Sequence, residues 1–335
     1  MIAWPWIAPV VLRLICPLPI SPYTRYLDDM QSAVYKPNPN SLELLPIVTF
    51  DTSALNRSLD DGLLHKHMVA MIVAKRHVRF AGLSIHELVA TRDADRRRAL
   101  FAHCRLLHAG QSDAVHSYKE LLRLLISAHV NNPSQFDWTK VPVMGKNYDD
   151  EIRDCKFVLD DDVAAKSRFE QRSRLKQFKQ LLSQSRPQFE SVFVAHGELQ
   201  PTTFRAAIKW LENSDVKLPV LTGKWRYDLV ACKDASEEAV ITFFMTCPPF
   251  RALSYAYLMS QYHSLLRNKH TGEKFGAGWN DLAMSIYLPY CDQFVTNDGE
   301  QEKCLREIAA VDNLATAVLS YDDFRNTLLA EVECS

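Results

Sequence analysis

The stretch GWNDLAMSIYLPYCDQFVTND, Gly278 to Asp298, decides how this chain is read. It predicts a helix with an acidic residue in its first turn, Asp281, followed by a short strand, Gln293 to Val295. That strand runs directly into a second acidic position, Asp298. In α/β proteins ligands bind at the carboxyl ends of parallel strands. A strand ending on a carboxylate therefore raises the question of partner carboxylates elsewhere, and Asp51 and Glu87 are the candidates.

At 335 residues, with 47% apolar and 24% charged residues, the chain has the composition of a globular protein with a sizeable core. A formal charge of −1 predicts no strong long-range attraction to nucleic acid, although local basic patches remain open to it. The eight cysteines are scattered and form no CxxC pair, which argues against a zinc ribbon or a dithiol redox centre and for reduced thiols in a cytoplasmic protein. His65 and His67 lack a second ligand cluster and read as exposed helix residues. TGKW at Thr222 to Trp225 lacks the upstream glycine and following hydroxyl of a phosphate-cradling loop, so an ATPase is not indicated.

Taken in order, the first twenty residues are apolar but broken by Pro5, Pro9, Pro17 and Pro19 and interrupted by Arg13. Residues 1–43 are read as a poorly ordered extension without stable membrane insertion, a divergent signal or surface anchor being the competing reading. Leu44 to Phe50 predicts a strand that ends at Asp51, with a helix opening behind it. Leu63 to Ala74 predicts a helix, Val78 to Leu83 a strand, and Ser84 to about Leu107 a helix. Residues 111–269 are expected to form a mainly helical insertion with a few strand-like runs, at Ser191 to Ala195, Tyr227 to Cys232 and Ala239 to Met245. Within it Val163 to Leu182 is a basic helix. After Asp298 follow a helix, a strand at Thr316 to Ser320 and a closing helix.

Each carboxylate has a local alternative to chemistry. Asp51 and Asp298 can cap helices, Ser84 and Glu87 match the capping box S-x-x-E, and Asp281 lies where a helix dipole favours an acid. If the strands are parallel, however, all four gather at one edge of the sheet. Such a cluster suits a hard divalent cation with oxygen ligands, Mg²⁺ or Mn²⁺.

FDTSALN (Phe50 to Asn56), SIHEL (Ser84 to Leu88), NDLAMS (Asn280 to Ser285) and FVTND (Phe294 to Asp298) together resemble the four acidic motifs of the PIN-domain family. TAVLSYDDF (Thr316 to Phe324) resembles that family's last strand and helix. The resemblance implies a three-layer α/β/α fold with a central parallel sheet, divided between residues 44–110 and 270–335 by the insertion. It further implies a nuclease in which Asp51, Glu87, Asp281 and Asp298 hold Mg²⁺ or Mn²⁺, with Ser53 and Thr296 as hydrogen-bonding neighbours. The interval between Glu87 and Asp281 is longer than the family needs, which leaves its middle strand unassigned.

The expected activity is metal-assisted hydrolysis of RNA, of toxin or RNA-processing type. DNA as substrate, an inhibitor protein and a homo-oligomer all remain open. Cationic candidates for gripping substrate are Lys75, Arg76, Arg79, Arg92, Arg96, Arg97, Arg98 and the basic helix of the insertion. Trp210, Trp225 and Tyr227 are candidates for stacking bases. The competing expectation is a non-catalytic scaffold of the same fold that binds a partner through its insertion.

Overall fold

In a computed structural model the sheet is assembled around Ile47–Phe50, whose apolar and β-branched side chains suit a strand covered on both faces. The structure describes residues 45–61, 65–108, 113–145, 161–194, 203–212, 217–232, 234–267 and 277–333. The strands are β1 (Ile47–Phe50), β2 (His77–Ala81), β3 (Asp113–Val115), β4 (Gln293–Thr296) and β5 (Ala317–Ser320). All pair in parallel, in the order β3-β2-β1-β4-β5. The first three strands step outward from β1 to one side, and the last two lie on the other. The order therefore reverses between β1 and β4. Phe50 is level with Phe80 on one neighbour and with Val295 on the other, so three strands end together at that switch point.

The first helices are α1 (Thr52–Leu59), α2 (His65–Lys75), α3 (Gly82–Val89), α4 (Ala94–His108) and α5 (Tyr118–Asn131). The middle of the chain forms α6 (Asp161–Val194), α7 (Phe204–Glu212), α8 (Leu218–Ala231), α9 (Glu237–Thr246) and α10 (Pro248–Tyr262). A π-turn at His263–Arg267 ends α10. Helix α11 (Trp279–Ala283) continues as a 3₁₀ segment, Met284–Tyr290, before α12 (Gly299–Val311) and α13 (Tyr321–Glu333).

Successive strand side chains point to opposite faces, and two buried clusters result. Val48, Phe50, Val78, Phe80 and Val295 pack with residues of α1 to α4 and α13. Ala81, Val115, Phe294 and Val318 pack instead with α10, the 3₁₀ segment, α12 and the helices of the middle region. The presumed insertion is thus not an appendage that folds clear of the sheet. It supplies much of the cover for one face.

Three further expectations change. β3 lies inside the region assigned to the insertion, at residues where no strand is expected, and forms one edge of the sheet. The strand-like runs are helical: 191–194 belong to α6, 227–231 to α8 and 239–245 to α9. In α9 the buried residues Val240, Phe243 and Phe244 fall on one helical face, whereas the short apolar run that contains them reads equally as a strand. The third change concerns α3, which begins at Gly82 rather than Ser84. The reading of residues 1–43 falls outside the described residues, among which no helix is long and apolar enough to cross a membrane.

Gly82 starts α3 against the backbone leading into α5. A Cβ there would stand 2.5 Å from the Ser117 nitrogen and 2.7 Å from the Val115 oxygen. Neither backbone atom can rotate away. Gly82→Ala should cost roughly 1–3 kcal/mol or more of stability, read as a lowered denaturation midpoint. An unchanged midpoint would refute the close approach.

Candidate functional site

Asp51 is the best-held acid of the switch point. It follows β1, caps α1, and is 5% exposed. Its carboxylate accepts hydrogen bonds from the Ala54 amide (2.7 Å), the Ser53 hydroxyl (2.9 Å) and the Thr296 hydroxyl (2.9 Å). Its own amide donates to the Val295 carbonyl at 3.0 Å. Ser53 Oγ in turn accepts from the Asn297 amide at 2.7 Å, and Thr296 Oγ1 accepts from the Asp298 amide at 3.0 Å. The ends of β1 and β4 are stitched together by side chains as well as by the sheet ladder. Ser53 and Thr296 are neighbours of Asp51, as expected.

Glu87 reaches this edge from α3. The Thr52 hydroxyl donates to its Oε2 at 2.7 Å. The capping-box reading fails, because Ser84 is already inside the helix, fully buried, and donates to the Phe50 carbonyl at 3.2 Å. Glu87 therefore performs no capping. Asp281, in the first turn of α11, accepts from the Gly278 amide at 2.6 Å. Asp298 is exposed and caps α12 by accepting from the Glu300 and Gln301 amides at 2.9 and 3.0 Å.

Electrostatics joins the four. Burial pushes the Glu87 carboxyl up to about 7 against the Thr52 hydrogen bond, and the charges of Asp281 and Asp51 push in the same direction. Burial likewise raises Asp51 to about 6, opposed by its hydrogen bonds. Asp281 is raised by burial and by the charge of Asp298, against the Gly278 hydrogen bond. Among the described residues no Lys, Arg or His forms an ion pair with any of the four. No three His, Cys, Asp or Glu side chains among those residues are gathered closely enough to hold an ion as they stand. The acids converge on one edge without forming a ready coordination shell. As a donor set, carboxylates that are buried or half-buried at three of four positions, without a cationic partner among the described residues, still fit a hard cation.

Two participants were missed from sequence. Thr52 ties α1 to Glu87, and Gln301 is almost fully buried, with Oε1 2.6 Å from Thr296 Oγ1 and Nε2 donating to the Asp281 carbonyl at 3.2 Å. Gln301 had a local signal, standing three residues after the Asp298 cap where a capping box places Glu or Gln. Its side chain reaches across the site instead.

Most cationic candidates are engaged in the fold. Arg76 pairs with Glu331 at 2.6 Å, Arg79 donates to the Tyr290 carbonyl, Arg96 pairs with Asp60 at 2.5 Å, Arg97 with Asp161 at 2.6 Å, and Arg98 with Asp95. His65 is buried rather than exposed, with Nε2 2.9 Å from His103 Nδ1. Tyr227 is a core residue, its hydroxyl 2.7 Å from His129 Nδ1. The basic helix α6 behaves differently. It lies along α3, where Ser167 and Gln171 donate to the carbonyl of His86, the residue before Glu87, at 3.2 and 3.3 Å. Burial and then the charge of Arg174 push the His86 imidazole down to about 4. Lys166, Arg172, Lys176 and Lys179 of this helix are exposed.

Fold and site define a parallel α/β protein with an acidic edge at its switch point and a basic helix beside it. Comparison with protein-family profiles, curated proteins and solved structures finds no match.

A carboxyl raised in the folded state binds its proton more tightly there than in the unfolded chain. Its contribution to stability is complete below the ordinary value and is lost as pH rises through the folded one. For Glu87 that window runs from 4.5 to about 7. In chelator, Glu87→Gln, which keeps an acceptor for Thr52, should therefore gain stability over wild type at pH 8, by up to roughly 3 kcal/mol. At pH 4 the gain should vanish. Chemical denaturation at the two pH values checks this, and an equal difference at both would sink it.

Proposed function

We propose that the chain is a PIN-like, metal-dependent ribonuclease with a three-layer α/β/α core, and that Asp51, Glu87, Asp281 and Asp298 hold Mg²⁺ or Mn²⁺. The observation that carries this reading is Glu87. It is half-buried at the edge, serves no cap, has no cationic partner among the described residues, and is pushed toward protonation by burial and further by Asp281 and Asp51. A carboxylate supported there only by hydrogen bonds from Thr52 and Asn280 is explained by a cation it serves.

When bound, the metal would supply Lewis-acid stabilisation of phosphoryl charge and a water more acidic than bulk. The protein's part is positional. Ser53, Thr296 and the Ala54 amide orient the Asp51 carboxylate, Thr52 aims Glu87, and Gln301 ties the Asp281 backbone to Thr296. Asp298, exposed and already bonded to two amides, closes the outer side. No covalent nucleophile is required, because water attacks the phosphorus directly. The basic face of α6 offers the phosphodiester backbone a counter-charge.

The test is cleavage of single-stranded RNA by the purified full chain with Mn²⁺, a DNA strand of the same sequence serving as comparison. Asp51→Asn should lower the rate by about 100-fold or more, as loss of a preorganised charge at a reacting centre does. Asp298→Asn should cost less. Mn²⁺ should raise the melting temperature of wild type and not of Asp51→Asn, by mass action on the folded state. A second reading, a non-catalytic scaffold, draws support from the capping roles of Asp51 and Asp298. It requires no cleavage and no thermal response to Mn²⁺.

A further inference from the structure

We propose that the cavity between α6 and the start of α11 takes one unpaired base of the RNA strand, adjoining the phosphodiester at Asp281. This rests on the nuclease reading and specifies its substrate as single-stranded at that point. The cavity has a volume of about 250 Å³ and is walled by Phe178, Lys179 and Leu182 of α6, Ser264 of the π-turn, and Gly278 and Trp279. Such a space suits a single ring system, not a base pair. The π-turn that ends α10 brings Ser264 to the wall.

The connection to the acidic edge is a single hydrogen bond. Gly278 is at once part of the cavity wall and the donor to Asp281 Oδ2, at 2.6 Å. A Cβ on Gly278 would stand 3.1 Å from that same oxygen, so a glycine here lets wall and acid approach closely. A group seated in the cavity lies within a nucleotide's reach of Asp281.

The wall is built for stacking. The rings of Phe178 and Trp279 are stacked, with centroids 4.2 Å apart and planes 20° apart. Trp279 is held from elsewhere by the edge-on ring of Tyr118, and by the guanidinium of Arg226 at 5.5 Å. A fixed aromatic pair loses little freedom on receiving a third ring, and base–aromatic stacking tolerates any base identity. Among the described residues no carboxylate lines the cavity, and the exposed ammonium of Lys179 stands on its rim. An anionic strand therefore meets attraction there, whereas the acids beyond Gly278 would repel it unless a cation were bound.

The experiment gives the full-length protein Mn²⁺ and a set of single-stranded RNA oligonucleotides, each abasic at one successive position. Removing the base at one fixed position beside the cut should lower kcat/KM roughly ten- to a hundredfold, with smaller effects elsewhere. Phe178→Ala should impose a similar loss on intact RNA and leave cleavage of that abasic strand unchanged. Leu182→Trp, which fills the cavity from the α6 side, should do the same should the first variant fold poorly. A flat abasic scan with normal cleavage overturns the base site and leaves the nuclease reading standing. A position-specific loss that persists in both variants assigns the base to another surface and also overturns it. Absence of Mn²⁺-dependent cleavage of any intact RNA overturns both.

Discussion

The pairing of β1 with β4 is the contact on which the rest of the molecule depends. Residues 48–50 lie beside 293–295, and only this alignment brings Asp51 within hydrogen-bonding distance of Thr296, 245 positions away. The ladder sets the backbone, and Ser53 and Thr296 then convert a backbone register into a side-chain one. A slip of one residue would turn Phe294 and Val295 to the wrong faces of the sheet and separate the two buried clusters from their partners. Cores on both faces therefore enforce the geometry of the acidic edge, which by itself is repulsive.

That repulsion has a cost in stability. Asp51 and Glu87 are carried into low-dielectric surroundings without a cationic partner among the described residues, and their neutral forms are favoured as a result. Burial acts in the same way elsewhere: Asp312, although paired with Arg251, is also pushed up to about 6, whereas Arg76 is paired with Glu331.

Legibility from sequence followed the range of the interaction. The run ending at Asp51 and the cap at Asp298 are local patterns, and both stand where the spacing puts them. Glu87 was found at the right place for a partly wrong reason. The signature S-x-x-E suggested a helix start at Ser84, whereas Gly82 permits the chain to turn into helix immediately after β2. The runs at 227–231 and 239–245 carry strand-forming residues, yet their burial follows the face of a helix, a distinction that a short apolar run does not make. Gln301 and the Arg76–Glu331 pair escaped because their meaning lies in contacts with distant segments. The largest revision concerns residues 111–269. They include a strand of the sheet and several helices that cover one of its faces, so they belong to the domain's core as much as to any substrate arm.

The chain order of the sheet has a temporal consequence. A ribosome makes β1 and β2, with Asp51 and Glu87, long before β4 and β5, and parallel pairings between such distant segments are slow to form. Until the last part of the chain emerges, β1 lacks one neighbour and Asp51 lacks Thr296. A nascent or prematurely ended chain thus carries two of the four acids without the edge that would make them a site. The edge is incomplete until β4 has been made and has paired with β1.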